Sequence, residues 1–274
     1  MGMLTRRVQF IMDRDALLKI FDREQRIDVR WPGVTHEVVG HVVRHLTAQQ
    51  KTGFIPYSNL DAATADAEID ETIAFFDEQG ISFEWKVYDH DGPADLRQRL
   101  EARGFEIEPP EALMVLDLEN APEFYASMVL PVELYQVNDE AGIDSLIRME
   151  ESVWETDHQW LRQDLGHNLA SFPDLLSIFA VQADGLIVSA AWIYYHPPSQ
   201  FGSLWGGSTL PAYRKRGYYT ALLVARAREA RQRGYRFLTV DASPMSRPIL
   251  EKHGFQFLGF STPCKWTPKA SEGA

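Results

Sequence analysis

Residues 213–223, Tyr-Arg-Lys-Arg-Gly-Tyr-Tyr-Thr-Ala-Leu-Leu, set three consecutive cations and a glycine directly before a stretch with helical patterning. A helix start carries free backbone N–H groups and a partial positive charge, so this stretch has the chemistry of an anion site. Gly217 lets the chain approach such an anion closely. Three partners fit: a phosphate-bearing ligand, an acidic patch on the same chain, or solvent alone. Two common phosphate loops are excluded. The chain has no G-x-x-x-x-G-K-[ST], and Gly202, Gly206 and Gly207 do not make a G-x-G-x-x-G.

The charge distribution narrows the choice. The 274-residue chain has a formal net charge of −12, yet residues 212–236 hold eight cations against Glu229 alone, while residues 61–123 hold 18 acidic residues against four basic ones. Nucleic-acid binding needs a broad positive face, so one basic loop in an acidic chain points to a small anionic ligand. A solvated helix face accounts for Arg228 and Arg231 better than for Arg214, Lys215 and Arg216. Length favours two domains, and 45% hydrophobic with 24% charged residues is the composition of globular proteins. Without an 18-residue apolar run, or an apolar segment after Arg6 and Arg7, neither a membrane span nor an export signal is expected, which makes the cytoplasm the expected location. Cys264 is the sole cysteine and has no nucleophile-like surroundings, so it reads as passive.

The elements that must position the loop follow from periodicity. Helices are predicted over Asp13–Arg26, Thr35–Gln49, Asp66–Gln79, Ala94–Arg103, Asp139–Trp154, Trp160–Ser171, Gly217–Arg233 and Arg247–Lys252. Strands are predicted over Ile81–Tyr88, Ala112–Leu118, Val132–Val137, Leu176–Gln182, Leu186–His196, Phe201–Thr209, Phe237–Asp241 and at the C-terminal end. Asn120, Pro122 and Pro131 punctuate a boundary, giving an N-terminal domain 1–120, a linker 121–131 and a C-terminal domain 132–274. The segment Leu-Glu-Ala-Arg-Gly-Phe at 100–105 recurs as Leu-Glu-Lys-His-Gly-Phe at 250–255, each after a strand and a short helix, which points to tandem duplication. Within His36–His45, Glu37, His41 and His45 fall on one face of the expected helix, but the spacing misses H-E-x-x-H; only His41 and His45 could share a metal, and no metal is expected.

Residues 209–259, from "TLPAYRKRGYYTALLVARAREARQRGY" through "FLTVDASPMSRPILEKHGFQFLG", resemble the cofactor-binding core of the GNAT acetyltransferase superfamily. Its hallmark is Arg/Gln-x-x-Gly-x-Gly/Ala before a helix, then a strand and a helix ending in Gly-Phe. With the upstream strands the resemblance extends over about 132–266, and the N-terminal half is similar to a degenerate GNAT half-domain without the basic loop. The resemblance implies an α+β fold, a mixed and mostly antiparallel sheet flanked by helices. It also implies acetyl-CoA as cosubstrate, held by Ser208, Thr209 and Leu210 at the strand end and by Arg214, Lys215, Arg216, Gly217, Tyr218, Tyr219 and Thr220 around the helix start. Tyr219 stands where the hallmark has Gly or Ala and is expected to turn outward; Leu250 stands where many members carry a tyrosine acid; "FGSLWGGSTLP" lacks the Asp or Glu that many members use as base.

Acetyl transfer by direct attack needs a neutral amine, a polarised carbonyl and a positioned leaving thiolate. A distorted strand around Gly206–Leu210 would offer a backbone N–H to the carbonyl oxygen. Asp241 is the first candidate to take the amine proton, His196 and Tyr194 the second, and Ser243 or Ser246 could protonate the thiolate. Trp192 and Trp205 could wall the acceptor pocket, although aromatic residues on strands are more often core. The expected function is N-acetylation of a small-molecule or peptide amine, with no nucleic-acid or membrane partner; the rival is an acyl-CoA-binding sensor without turnover.

Overall fold

A computed structural model describes residues 12–47, 52–131 and 133–268. The expectations for Met1–Phe10 and for the end of the predicted 35–49 helix lie outside them. Along the first half run α1 (Arg14–Phe21, continued by a wider turn over Asp22–Ile27), β1 (Val34–Val39), β2 (Val42–Thr47), β3 (Thr52–Ser58), α2 (Ala65–Glu78), β4 (Ser82–Tyr88), α3 (Leu96–Glu101), β5 (Glu106–Ile107) and β6 (Glu111–Asp117). Then follow α4 (Phe124–Ser127), β7 (Leu134–Val137), α5 (Glu140–Trp154), α6 (Gln159–Ser171), β8 (Leu176–Ala183), β9 (Leu186–Tyr195) and β10 (Phe201–Thr209). The chain closes with α7 (Tyr218–Gln232), β11 (Phe237–Ala242), α8 (Arg247–Lys252) and β12 (Gln256–Trp266). No described helix is long and apolar enough to cross a membrane.

The described residues form two compact units. One comprises the residues up to Ile20, Val115–Thr239 and His253–Phe255; the other comprises Phe21–Met114, Val240–Lys252 and the residues from Gln256 onward. The predicted linker at 121–131 thus lies inside the first unit, and the contact boundary does not follow the linear division at that segment. Ladder pairing overrides chain order here: β12, last in sequence, runs antiparallel to β4, with Trp85 opposite Cys264, and also pairs with β5.

Each unit repeats one pattern. In the first, β7, β8, β9 and β10 are successive antiparallel neighbours, and β10 continues through α7 into parallel β11. In the second, β1, β2 and β3 are antiparallel and β3 continues through α2 into parallel β4. The strand–helix–strand crossover is thus present twice, an α+β arrangement of mixed, mostly antiparallel sheet flanked by helices.

The segment predicted as a helix over Thr35–Gln49 is the hairpin β1–β2. Two pairs of valines, Val38-Val39 and Val42-Val43, flank Gly40-His41, and β-branched runs around a two-residue turn favour strands. Gly40 has φ +55, and a Cβ there would lie 2.5 Å from Glu68 Oε2. The expected shared helical face disappears with the helix. Glu37 pairs with Arg44 across the ladder, His36 Nδ1 meets His45 Nε2 at 2.9 Å, and His41 Nδ1 meets Glu68 at 2.7 Å. β3, which no sequence pattern announced, completes this sheet.

Buried Ile55, Ile69, Phe76, Trp85, Leu100 and Cys264 share the core of the second unit. Phe76 stacks on Phe83 with centroids 4.2 Å apart, and Gly53 makes room for its ring. Burial pushes the Cys264 thiol up to about 12, which keeps it protonated and inert. Replacement Phe76→Ala is expected to lower stability by about 3–5 kcal/mol through lost burial and the cavity left behind, measured as a shifted urea unfolding midpoint.

Candidate active site

α7 begins without a side-chain cap. Its N-cap residue is Gly217, at φ +83, and Ala221 N–H is the first to bond back, to the Gly217 carbonyl at 2.9 Å. The N–H groups of Tyr218, Tyr219 and Thr220 therefore point out of the helix end, as in any first turn. Lys215 also adopts a left-handed conformation, φ +63, which kinks the loop before this end. A Cβ at Gly217 would meet no atom, so the glycine serves the backbone conformation rather than packing.

The basic stretch divides by use. Arg228 donates to the carbonyls of Tyr125, Ala126 and Met128, Arg231 to that of Leu118, and Arg233 pairs with Glu229 at 2.6 Å. Arg228 and Arg231, expected on a solvated face, hold the 118–128 segment instead. Arg214 donates to the Thr209 carbonyl and Arg216 to that of Ala212 with its guanidinium over the Tyr213 ring, and these two and Lys215 are exposed. Among the described residues none of the three forms an ion pair with a carboxylate. The acidic-patch explanation of the loop loses its support, and the cations face an open helix start.

The turn that leads into α2 carries a carboxylate instead of cations. Asp61 Oδ1 accepts from Ala63 N at 2.8 Å and from Thr64 N at 2.9 Å, and these bonds hold its carboxyl below the usual carboxylate range. α2 itself begins at Ala65, also without a side-chain cap.

Before α7, the β9–β10 ladder breaks. Gly206 opposes Ala191 and Ser208 opposes Ala190, so Gly207 has no register partner; Gly206 and Gly207 have φ +68 and +95. The Trp192 ring covers Gly206, where a Cβ would lie 2.4 Å from it. The Tyr219 ring lies 3.0 Å from a Cβ built on Gly207, so Tyr219 turns back onto the bulge instead of outward as expected. Ser208 and Thr209 are tied to β9 by Ser189, whose hydroxyl donates to the Ser208 carbonyl and meets Thr209 Oγ1 at 2.7 Å; Leu210 N–H bonds the Val188 carbonyl. Beneath, buried Arg226 donates to the carbonyls of both Trp192 and Trp205, each at 3.2 Å, and burial without a facing carboxylate lowers its guanidinium to about 10.

Trp192, Tyr194 and His196 alternate along β9 on the sheet face covered by α5 and α6, with Trp205 beside them on β10. Trp192 is buried, whereas the Trp205 ring is half-exposed and stands edge-on to Tyr194, 6.3 Å between centroids. The Tyr194 hydroxyl donates to Asp164 Oδ2 at 3.0 Å and accepts from Asn168, and burial raises it above the ordinary phenol range. His196 is buried and its imidazolium form is disfavoured down to about pH 3, so the ring is neutral and too weakly basic to hold a proton at neutral pH. Neither second-rank candidate has the properties of a general base. Asp241 belongs to the second unit, where Lys86 Nζ bonds its Oδ2 at 2.7 Å and Ser261 bonds its Oδ1 at 3.0 Å; Lys86 also bonds Glu111. Both of its oxygens are engaged by neighbours. In the same unit Leu250 is buried, and Ser243 and Ser246 hydroxyls bond each other at 3.1 Å.

Glu150 belongs to none of the sequence motifs. It lies on the inner face of α5, 3% exposed, and its Oε2 accepts from Ser208 Oγ at 2.7 Å and from Trp154 Nε1 at 2.9 Å. Oε1 is buried and meets no donor. Burial raises its pKa, against the opposing pull of Ser208, Trp154 and His158. The signal was available in position alone: Ile143, Leu146, Ile147 and Glu150 lie three to four residues apart, so Glu150 continues an apolar stripe.

Residues 140–255 match the acetyltransferase (GNAT) family model. No curated protein matches the sequence. Among solved structures, a GCN5-related N-acetyltransferase from Kribbella flavida aligns over 94% of this chain and 95% of its own, at 15% identity and TM-score 0.62. A conserved protein of unknown function from Staphylococcus epidermidis aligns over 92% of this chain and 100% of its own, at 11% identity and TM-score 0.66. A tandem GNAT protein from the clavulanic acid biosynthesis pathway aligns over 92% of this chain and 88% of its own, at 14% identity and TM-score 0.59. The likeness is one of fold, and it extends along almost the whole chain.

The depressed pKa of His196 has a consequence for stability. Between the unfolded value near 6.5 and the folded value near 3, the unfolded chain binds a proton that the folded chain refuses, so His196 destabilises the fold as pH falls through this window. His196→Gln is expected to make stability less pH-dependent between about pH 6.5 and 4 than in the wild type, read as urea midpoints at successive pH values; parallel curves would refute the buried, neutral imidazole.

Proposed function

We propose, from the match of residues 140–255 to the acetyltransferase (GNAT) family model, that this protein moves an acetyl group from acetyl-CoA to a primary amine of a small molecule or peptide. The family transfers acyl groups from acyl-CoA. One observation carries it: an uncapped helix start fronted by Arg214, Lys215 and Arg216, none paired with a carboxylate among the described residues. The diphosphate of coenzyme A is the anion that fits, bound by the N–H groups of Tyr218, Tyr219 and Thr220 and by the loop cations.

The bulge supplies the second part. Leu210 N–H is already used by Val188, so in this reading the backbone at Gly207, out of register with β9, would be the donor to a thioester oxygen. The amine nitrogen attacks the carbonyl carbon directly, the C–S bond breaks, and the thiolate leaves without an acyl-enzyme. Trp205, half-exposed beside the bulge, would wall the acceptor; Trp192 is core, and its ring packs on Gly206.

Arg214→Ala and Arg216→Ala are each expected to weaken coenzyme A binding by about 1.5–3 kcal/mol, the range for a charge-assisted hydrogen bond, or roughly 10- to 100-fold in Kd. Isothermal titration should give one equivalent per chain, because the turn ahead of α2 carries Asp61 and no cations. Unchanged affinity in both variants would remove the diphosphate assignment. Binding without thiol release on addition of amines would identify an acyl-CoA sensor instead.

A further inference from the structure

We propose that Glu150 is the group that takes the proton from the incoming ammonium, through its open oxygen Oε1. This rests on the acetyl-transfer reading and adds the residue that makes the amine nucleophilic. The carboxylate is fixed rather than mobile: Ser208 Oγ and Trp154 Nε1 both donate to Oε2, and these two donors are themselves 3.1 Å apart. Oε1 is left buried with no donor, and no lysine or arginine pairs with Glu150 among the described residues. A buried carboxylate with one unsatisfied oxygen is unfavourable until a donor reaches it, and an ammonium supplies both the missing hydrogen bond and the missing charge.

The position suits the chemistry. Ser208 is the residue directly after the unpartnered Gly207, so Glu150 is one hydrogen bond from the bulge that is to polarise the thioester. Its other donor, Trp154, is 53% exposed, so the carboxylate lies one side chain from solvent and from any acceptor entering there. Asp241 and Asp164 offer no equivalent: both oxygens of Asp241 are bonded, and Asp164 receives the Tyr194 hydroxyl. Burial also holds Glu150 above its usual range, which makes it a better base than an exposed carboxylate.

The step balances. The ammonium gives one proton to Glu150, becoming a neutral amine; the N–C bond forms as the C–S bond breaks; the nitrogen then sheds a second proton, which the departing sulfur takes up. The products are the amide, the thiol and protonated Glu150, which returns its proton to solvent.

Two isosteric probes separate this step from the rest. Ethylamine has a pKa near that of lysine, about 10.4, and is almost wholly ammonium at pH 7, whereas methoxyamine, of the same size, is neutral there. With acetyl-CoA and free-thiol detection, Glu150→Gln should lower enzymatic transfer to ethylamine by about 10²- to 10⁴-fold and change transfer to methoxyamine by less than about threefold. Glu150→Asp, which withdraws the carboxylate from the amine, should show the same selectivity. Methoxyamine transfer and unchanged coenzyme A affinity by calorimetry certify that a variant is folded. Equal loss on both probes, or full retention on both, in a variant that binds coenzyme A, overturns the proposal and leaves acetyl transfer standing. Wild-type protein that transfers to neither probe overturns both readings together.

Discussion

The break in the β9–β10 ladder at Gly206–Ser208 is the constraint on which the rest of the first unit depends. An antiparallel ladder that continued in register would pair Gly207 and bury its N–H in a bond to β9. The extra residue takes Gly207 out of register, and Ser208 beyond it donates its hydroxyl to Glu150 on α5. The bulge is not left to chance: Arg226 ties the carbonyls of Trp192 and Trp205 on its near side, and Ser189 ties Ser208 and Thr209 beyond it. The Trp192 and Tyr219 rings fill the space a side chain would occupy at the two glycines. The same feature therefore accounts for the glycine pair, for a buried arginine without a carboxylate, and for the large residue in the loop hallmark.

Two helix starts show how the residues ahead of a helix set the charge at its end. α2 and α7 each follow a strand and each lead to a parallel neighbour, and neither has a side-chain cap. Ahead of α2 the turn carries a carboxylate, Asp61, which accepts from the N–H groups of Ala63 and Thr64. Ahead of α7 stand three cations, and its N-cap is glycine. The same strand–helix–strand unit is thus acidic at one helix start and basic at the other.

Much of this was legible in the residues. The Arg-x-x-Gly loop ahead of a helix and the echoed Leu-Glu-x-x-Gly-Phe at a helix end are local signals, and each falls at the expected element in the structure. What escaped depends on partners distant in sequence. Residues 35–47 carry apolar residues at helical as well as strand intervals, and only pairing with β3 makes the hairpin the better solution. Asp241 at a strand end looked available until Lys86, 155 residues away, took it. Glu150 carries no motif, and its partner Ser208 lies 58 residues further on. The compact units cut across the linear order for a related reason, since β12 takes its place beside β4.

That last pairing has a consequence for how the chain comes to be folded. β4 and its partner β12 join residues as far apart as Phe83 and Trp266, and Cys264 and Trp266 belong to the same core as Ile55, Phe76 and Trp85. During synthesis the ribosome releases residues 21–114 long before their final strand exists. Until Trp266 emerges, β4 presents an unpaired edge and the core lacks one wall, a state open to wrong strand partners. The nascent protein must therefore protect that edge, or hold this half unfolded, for most of its own translation.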